Sequence, residues 1–234
     1  MKKNIKINTL GRLKAKAYSL FKGDIHSALL TEEREKFERL RQADGAEAIQ
    51  LHNYAEQKKV DVSTYLSLHD GRGYSENNWG FDLAGEPEIV GGGSFFEFGA
   101  GNGAFLDMLR RRGEVVAGVD LINPNRLPEV ITGDFKQAFE SEAWREAGVI
   151  ISADFLEHLE LADLEYLFAG WAVPGKRHCH LIACYDDHIS HKTVMPPHLW
   201  ALLLSRHFRQ VEIRSCYYRR YPGRKLATCM AFQT

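Results

Sequence analysis

"FFEFGAGNGAF", residues 95–105, is the stretch whose reading decides the fold. Phe95, Phe96 and Phe98 read as a short buried strand that runs into glycines at 99, 101 and 103. Glycine at such a turn lets the backbone approach a ligand with no Cβ intervening. The following "AFLDMLRRRG" reads as a helix over 103–112 with a glycine stop, so unpaired N–H groups gather at its start. Gly99, Gly101 and Ala104 also satisfy the G-x-G-x-x-G/A pattern of dinucleotide sites, where those N–H groups hold a pyrophosphate. Glu97 argues against that occupant. A carboxylate near the strand's C-terminal end repels a diphosphate and attracts an ammonium group. The stretch therefore favours a ligand that carries an amine and no phosphate, such as an amino-acid moiety.

Working outward, strand and helix signals alternate. "EVVAGVD" is a second strand and "EVITGD" a short third, followed by a helical stretch over 136–146. "GVIISAD" is a fourth strand with a helix over 160–172, and "HCHLIACY" a fifth with a helix in "PPHLWALLLSRHF". This order predicts an α/β, doubly wound parallel sheet with right-handed crossovers. "QVEIRSCYYRRY" and "KLATCMAFQT" are joined by Pro222-Gly223 with no room for a crossover helix, so they must form a hairpin. Residues 70–93 are dense in glycine and turn formers and read as a loop or boundary. Residues 1–60 are rich in helix formers, with Leu30, Phe37 and Leu40 at near-helical spacing and Thr31 as an N-cap.

The chain has 234 residues, 44% hydrophobic and 26% charged, with a net charge of −1. Nothing in that balance draws it to nucleic acid or anionic lipid. Its basic excess sits in the first 60 residues, which lack the apolar region and cleavage site of a signal peptide. No apolar run is long enough for a membrane span. Cys179, Cys184, Cys216 and Cys229 show no C-x-x-C pairing and lie in or beside strands. Buried thiols of a reducing, cytoplasmic protein are expected, with no disulfide and no metal site.

With these motifs in place, the chain resembles the class I S-adenosylmethionine-dependent methyltransferases of the small-molecule type, over roughly residues 93–233. "EFGAGNG" resembles that family's E/D-x-G-x-G-x-G motif, and "VAGVD" its second strand with a terminal acid for the ribose hydroxyls. "TGDF" resembles the segment that meets the adenine, and "ADFLEH" the fourth-strand motif on the methionine and acceptor sides. The family usually links into strand five through Pro-Gly-Gly, and here the turn is Pro174-Gly175-Lys176. The resemblance implies strand order 3-2-1-4-5-7-6 with the last strand antiparallel. It implies S-adenosylmethionine as cofactor and S-adenosylhomocysteine as product. It implies cofactor contacts at Glu97, Gly99, Gly101, Gly103, Asp120, Leu121, Asp134, Phe135, Asp154 and Phe155. Residues 1–70 would be a helical extension or lid, and 71–234 the cofactor-binding domain. A carboxylate about twenty residues past the first glycine is shared with nicotinamide sites, so Asp120 alone does not discriminate. The plainer readings are that Asp120, Asp134 and Asp154 cap helices or turns, and that Phe135 and Phe155 are core.

Ligands of such sheets sit beyond the strand carboxyl ends, so the loops after strands four and five face the acceptor. They carry Glu157, His158, Asp186, Asp187, His188 and His191. A hydroxyl acceptor needs its proton removed, for which His158 or His191 is expected as base. Neither an [ND]-P-P-[YF] motif nor a Pro-Cys nucleophile stands where nucleic-acid base methyltransferases carry theirs, which leaves a small-molecule or glycan acceptor, most readily at oxygen. Arg72, Tyr74 and Trp79 are candidates for the cofactor carboxylate or the acceptor. "RSCYYRRYPGRK" interleaves arginine with tyrosine as nucleic-acid surfaces do, yet in a hairpin its residues alternate sides, half core and half solvated. A non-catalytic cofactor-binding partner subunit, an RNA methyltransferase and a nicotinamide oxidoreductase remain as other readings. Oligomeric state is open.

Overall fold

The aromatic run at the start of the glycine motif is an interior strand of the sheet. The computed structural model describes residues 9–43, 56–57, 79–187, 190–219 and 225–233. Strand β1 (Ser94–Phe98) pairs in parallel with β2 (Val115–Asp120) on one side and β4 (Val149–Ala153) on the other. Strand β3 (Val130–Thr132) extends the sheet beyond β2, and β5 (Arg177–Ala183) beyond β4. Strand β7 (Lys225–Gln233) lies antiparallel between β5 and β6 (Gln210–Arg219). The order is 3-2-1-4-5-7-6 with the last strand antiparallel, as expected from the sequence. The Pro222-Gly223 turn itself lies outside the described residues.

Six helices accompany the sheet among the described residues: α1 (Thr9–Gln42), α2 (Pro87–Val90), α3 (Ala104–Arg111), α4 (Glu142–Glu146), α5 (Leu161–Trp171) and α6 (Pro197–Leu204). Successive strand residues point to opposite faces. Phe96 and Phe98 face a core with Trp144, Ile150, Phe168, Trp171 and Trp200. Phe95 faces the other, with Phe105 and Leu109 of α3. By the same alternation Glu97 lies on the Phe95 face, at the strand end where α3 begins.

Three expectations are corrected. The stretch over 136–146 is a 3-10 turn (Phe135–Glu140) and then α4, because the Ser141 hydroxyl accepts from Trp144 N at 3.1 Å and starts a new helix. The segment read as a loop contains a 3-10 turn (Trp79–Leu83) and α2, because Leu83 and Ile89 are fully buried against Phe95 and Phe105, and packing overrides turn propensity. Thr31 is not an N-cap. It sits inside α1, and its hydroxyl donates back to Ser27 O at 2.9 Å.

Helix α1 docks on the far edge of the sheet. Glu33 is buried and accepts from Nδ1 (2.6 Å) and the backbone N (3.1 Å) of His198, at the start of α6. Burial raises the Glu33 carboxyl, but hydrogen bonds from His198 and Lys36 outweigh it and hold it at about 2. Arg34 donates to Ile213 O on β6 at 2.9 Å, and Phe37 enters the core. Past α1, Glu56–Gln57 pairs antiparallel with Thr193–Val194, which brings the chain to the loop after β5. At the start of the arginine–tyrosine patch, Arg214 pairs with Glu88 at 3.0 Å, Tyr217 donates to Asp82 at 2.9 Å, and Cys216 is core; Arg220, Tyr221 and Arg224 lie outside the described residues.

The Pro174-Gly175-Lys176 departure has a structural role. The Lys176 ammonium, nearly buried, donates to Trp144 O (2.7 Å), Arg145 O (3.2 Å) and Ala147 O (2.6 Å), satisfying carbonyls at the end of α4. On β5, His178 and His180 are fully buried beside Phe232, and His180 stacks on Trp171 at 4.5 Å. Burial, and then the Lys176 charge, lower the His178 imidazole to about 3; burial likewise pushes His180 well below its usual value. Below pH 6.5 the unfolded chain binds protons that the folded protein refuses, so this stability is complete above that pH and falls as pH drops towards 3. The expected outcome is a shallower acid loss of thermal stability in His178→Phe, which keeps the stack on Phe232. Superimposable pH profiles of melting temperature for the two proteins would refute the assignment.

Candidate active site

The sheet reverses its winding between β1 and β4, and a cleft opens there beyond the strand carboxyl ends. Gly99, Asp120, Leu121, Asp134, Phe135, Phe155 and His158, all singled out in the sequence, line it together. Val119, Gly133, Leu159, Asp163, Ser190 and Lys192 complete the wall. Glu97, Gly101, Gly103, Asp154 and His191 are not part of that lining; Gly101 is bonded to Asp120 of the wall, Glu97 lies near the same carboxylate, and Gly103 faces Leu127.

The glycine loop is closed upon itself. Gly99 N and Ala100 N donate to Val119 O at 2.9 and 3.2 Å, and Gly103 N to Ala100 O at 2.8 Å. Gly101 N donates to Asp120 Oδ2 at 2.7 Å, and Ala104 N to Asn102 Oδ1 at 3.0 Å. Five amides that a pyrophosphate cradle would point outward are therefore committed within the protein. Gly99 has φ of 74°, and a Cβ there would lie 2.9 Å from the Phe155 side chain, so this backbone passes tightly beneath the cleft.

Glu97 is 2% exposed, and its buried Oε2 has no hydrogen-bond partner. Burial, and then the nearby Asp120 carboxylate, raise its pKa well above the ordinary range. A buried carboxyl with an unused acceptor fits an incoming cation. Asp120 is buried as well, which raises its pKa, while Oδ1 accepts from Ile122 N at 2.9 Å and Oδ2 from Gly101 N. Each carboxylate oxygen retains a further lone pair for a hydroxyl donor. Asp134 fills the plainer role weighed for it: it caps the 3-10 turn through Lys136 N at 2.8 Å, while also lining the cleft. Asp154 is not the cap of the turn Leu156–His158; Phe155 occupies that position, and Asp154 has φ of 52°. Phe135 is both core and wall, its ring 6.3 Å from Phe155.

At the other end of the cleft two segments are stitched together. Lys192 N donates to Glu157 O at 2.8 Å, and the Thr193 hydroxyl to Leu159 O at 2.7 Å. The Asp187 carboxylate accepts from Ser190 N, Ser190 Oγ and His191 N at 2.6–3.1 Å, which folds the loop. The result sets the rings of His158 and His191 edge to face, 5.0 Å apart. Nδ1 of His158 lies 3.1 Å from Ser190 O, and Nδ1 of His191 2.6 Å from Tyr185 O. A carbonyl only accepts, so in both rings Nδ1 carries a proton; Nε2 of His191 lies 3.9 Å from Asp187 Oδ2. Burial, and then His191, hold the His158 imidazole down at about 4, so it is neutral at physiological pH. Ser190, Leu159, Asp163 and Lys192 were not singled out from the sequence; the Asp187-x-x-Ser190-His191 spacing was the signal for the loop. His188, Arg72 and Tyr74 lie outside the described residues, and Trp79 packs on the apolar cluster around Leu83 and Phe95.

No family model matches the chain, and no curated protein matches it. Solved structures do match in fold. One is Burkholderia thailandensis 1,6-didemethyltoxoflavin-N1-methyltransferase with bound 1,6-didemethyltoxoflavin and S-adenosylhomocysteine, at 16% identity and TM-score 0.56, covering 82% of this chain and 91% of that one. Another is a SAM-dependent methyltransferase from Archaeoglobus fulgidus, at 16% identity and TM-score 0.51, covering 66% of this chain and 92% of that one. The chain has the fold of the class I S-adenosylmethionine-dependent methyltransferases, the family its motifs resemble.

Glu97→Gln should leave the ligand-free protein at least as stable, since it removes a desolvated carboxyl, yet weaken S-adenosylhomocysteine binding about tenfold or more. Asp120→Ala should lose affinity by a similar factor and also destabilise the fold, because the Gly101 and Ile122 amides lose their acceptor. An ammonium stabilises the ionised form of Glu97, so affinity should fall as pH is lowered, and binding should release protons. Calorimetry in buffers of different ionisation enthalpy reads that release; unchanged affinity in both variants would remove these residues from the site.

Proposed function

We propose that the chain transfers a methyl group from S-adenosylmethionine to a hydroxyl oxygen of a small-molecule or glycan-type acceptor. The observation that carries this reading is the buried, unpartnered Glu97 Oε2 behind a glycine loop whose amides are already bonded. That pairing suits the ammonium of a methionine moiety and leaves little for a diphosphate. The residues present fit the cofactor: Glu97 for the ammonium, Asp120 and Leu121 for the ribose, Asp134 and Phe135 for the adenine. Gly99, Gly101 and Gly103 give it close backbone, and Asp154 and Phe155 flank its methionine side. The cofactor supplies an electrophilic methyl on a sulfonium.

The chain's own task is alignment and exclusion of water, since proximity alone supplies several kcal/mol. Apolar walls from Val119, Leu121, Phe135, Phe155 and Leu159 serve that purpose. His158 and His191 supply the polar end, where a neutral imidazole Nε2 accepts the proton that a hydroxyl must lose. The pairing of Glu56–Gln57 with Thr193–Val194, close to His191, supports a role for the N-terminal extension beside the acceptor. Among the described residues no helix is long and apolar enough to cross a membrane.

The test is a thermal-shift panel followed by a screen of small hydroxylated metabolites with labelled methyl donor. S-adenosylhomocysteine at a hundredfold excess over its Kd should raise the melting temperature by about 5–10 °C. Stabilisation by NAD and none by S-adenosylhomocysteine would overturn the proposal.

A further inference from the structure

The two imidazoles at the acceptor end meet a third donor. Glu157, which precedes His158 in the turn Leu156–His158, has no solvent exposure, and its Oε1 accepts from Ala183 N at 3.2 Å. One donor atom from each of Glu157, His158 and His191 lies within 4.8 Å of the other two. We propose that these three residues bind a divalent transition-metal ion of the zinc or cobalt type; its role in the reaction, though not its binding, rests on the function proposed above.

Two imidazoles and one carboxylate are the donor set of three-ligand sites that keep a position open for substrate. The surroundings are those of such a site. Main-chain carbonyls of Ser190 and Tyr185 take the two Nδ1 protons, which fixes each ring's orientation and leaves Nε2 as the ligating atom. The Ala183 amide orients the carboxylate in the same way. The donors come from two segments, but the bond from Lys192 N to Glu157 O and the Asp187 cap hold those segments in one arrangement. Metal bonds of about 2.1 Å set ligands about 3.4 Å apart in a tetrahedron, so donor atoms within 4.8 Å of one another must draw together by up to about 1.4 Å as the ion binds. No metal was expected from the sequence, whose cysteines show no C-x-x-C pairing; Glu157-His158 and His191 belong to different loops that the fold brings together.

His158 also lines the cleft, so the open position faces the acceptor. With both Nε2 lone pairs taken by the ion, no imidazole is left to act as base; an acceptor hydroxyl bound at the ion becomes more acidic and loses its proton to water instead. The O–CH3 bond then forms as the S–CH3 bond breaks, its electron pair staying on sulfur. This role selects acceptors whose hydroxyl can reach the ion.

The experiment titrates Co2+, and separately Zn2+, into tag-free full-length protein stripped with chelator, reading visible d–d absorption and calorimetric heat. S-adenosylhomocysteine binding is measured in parallel. The expected result is one equivalent of Co2+ with tetrahedral-type bands, and affinity weakened at least about tenfold in both His191→Ala and Glu157→Gln. Retained S-adenosylhomocysteine binding shows that a variant is folded. Absence of bands in the parent protein, or equal affinity and spectra in a folded variant, would overturn the metal site. Metal binding without any S-adenosylhomocysteine binding would instead strike at the proposed function.

Discussion

The structure turns on a carboxyl kept out of water. Glu97 sits on β1, an interior strand between β2 and β4, where the sheet changes winding direction and a ligand cleft opens. A second carboxylate, Asp120, stands beside it, and the proximity further disfavours a charge on Glu97. Such an arrangement costs stability in the ligand-free protein and is relieved by a cation. Around it the loop amides turn inward, to Val119 O, Ala100 O, Asn102 and the Asp120 carboxylate itself. Asp120 thus does two things at once: it braces the glycine loop and offers its remaining lone pairs to the cleft.

The acceptor end follows a different logic. Nothing there depends on glycine or on sheet register. A capped loop is tied to a short turn by backbone hydrogen bonds, and the tie brings Glu157, His158 and His191 together. Both ends are stitched in the same way: side-chain carboxylates or main-chain carbonyls accept from the polar groups of the neighbouring segment.

The fold was legible because its signals are local. The period-two aromatics of β1, the glycine stop after α3, and the terminal hairpin with no space for a helix each follow from short-range chemistry. Errors arose where distant packing decided the outcome. Leu83 and Ile89 sit in a glycine-rich stretch that reads as loop, yet the Phe95 and Phe105 cluster makes that stretch helical. Thr31 has the chemistry of a cap, yet α1 continues through it because Phe37 and Glu33 are anchored on the domain. Lys176 stands where the resembled family carries glycine, and its three carbonyl partners are contributed by residues some thirty positions earlier.

By itself the sequence determined the winding of the sheet and the side of the glycine loop on which a carboxylate stands. These are properties of neighbours along the chain. Tertiary structure alone decided that Glu97 is buried and lacks a partner for Oε2, that the loop amides are occupied, and that two histidines from separate loops share one corner with a glutamate. Burial and hydrogen-bond satisfaction are sums over atoms far apart in sequence, and only the folded chain brings those atoms within reach.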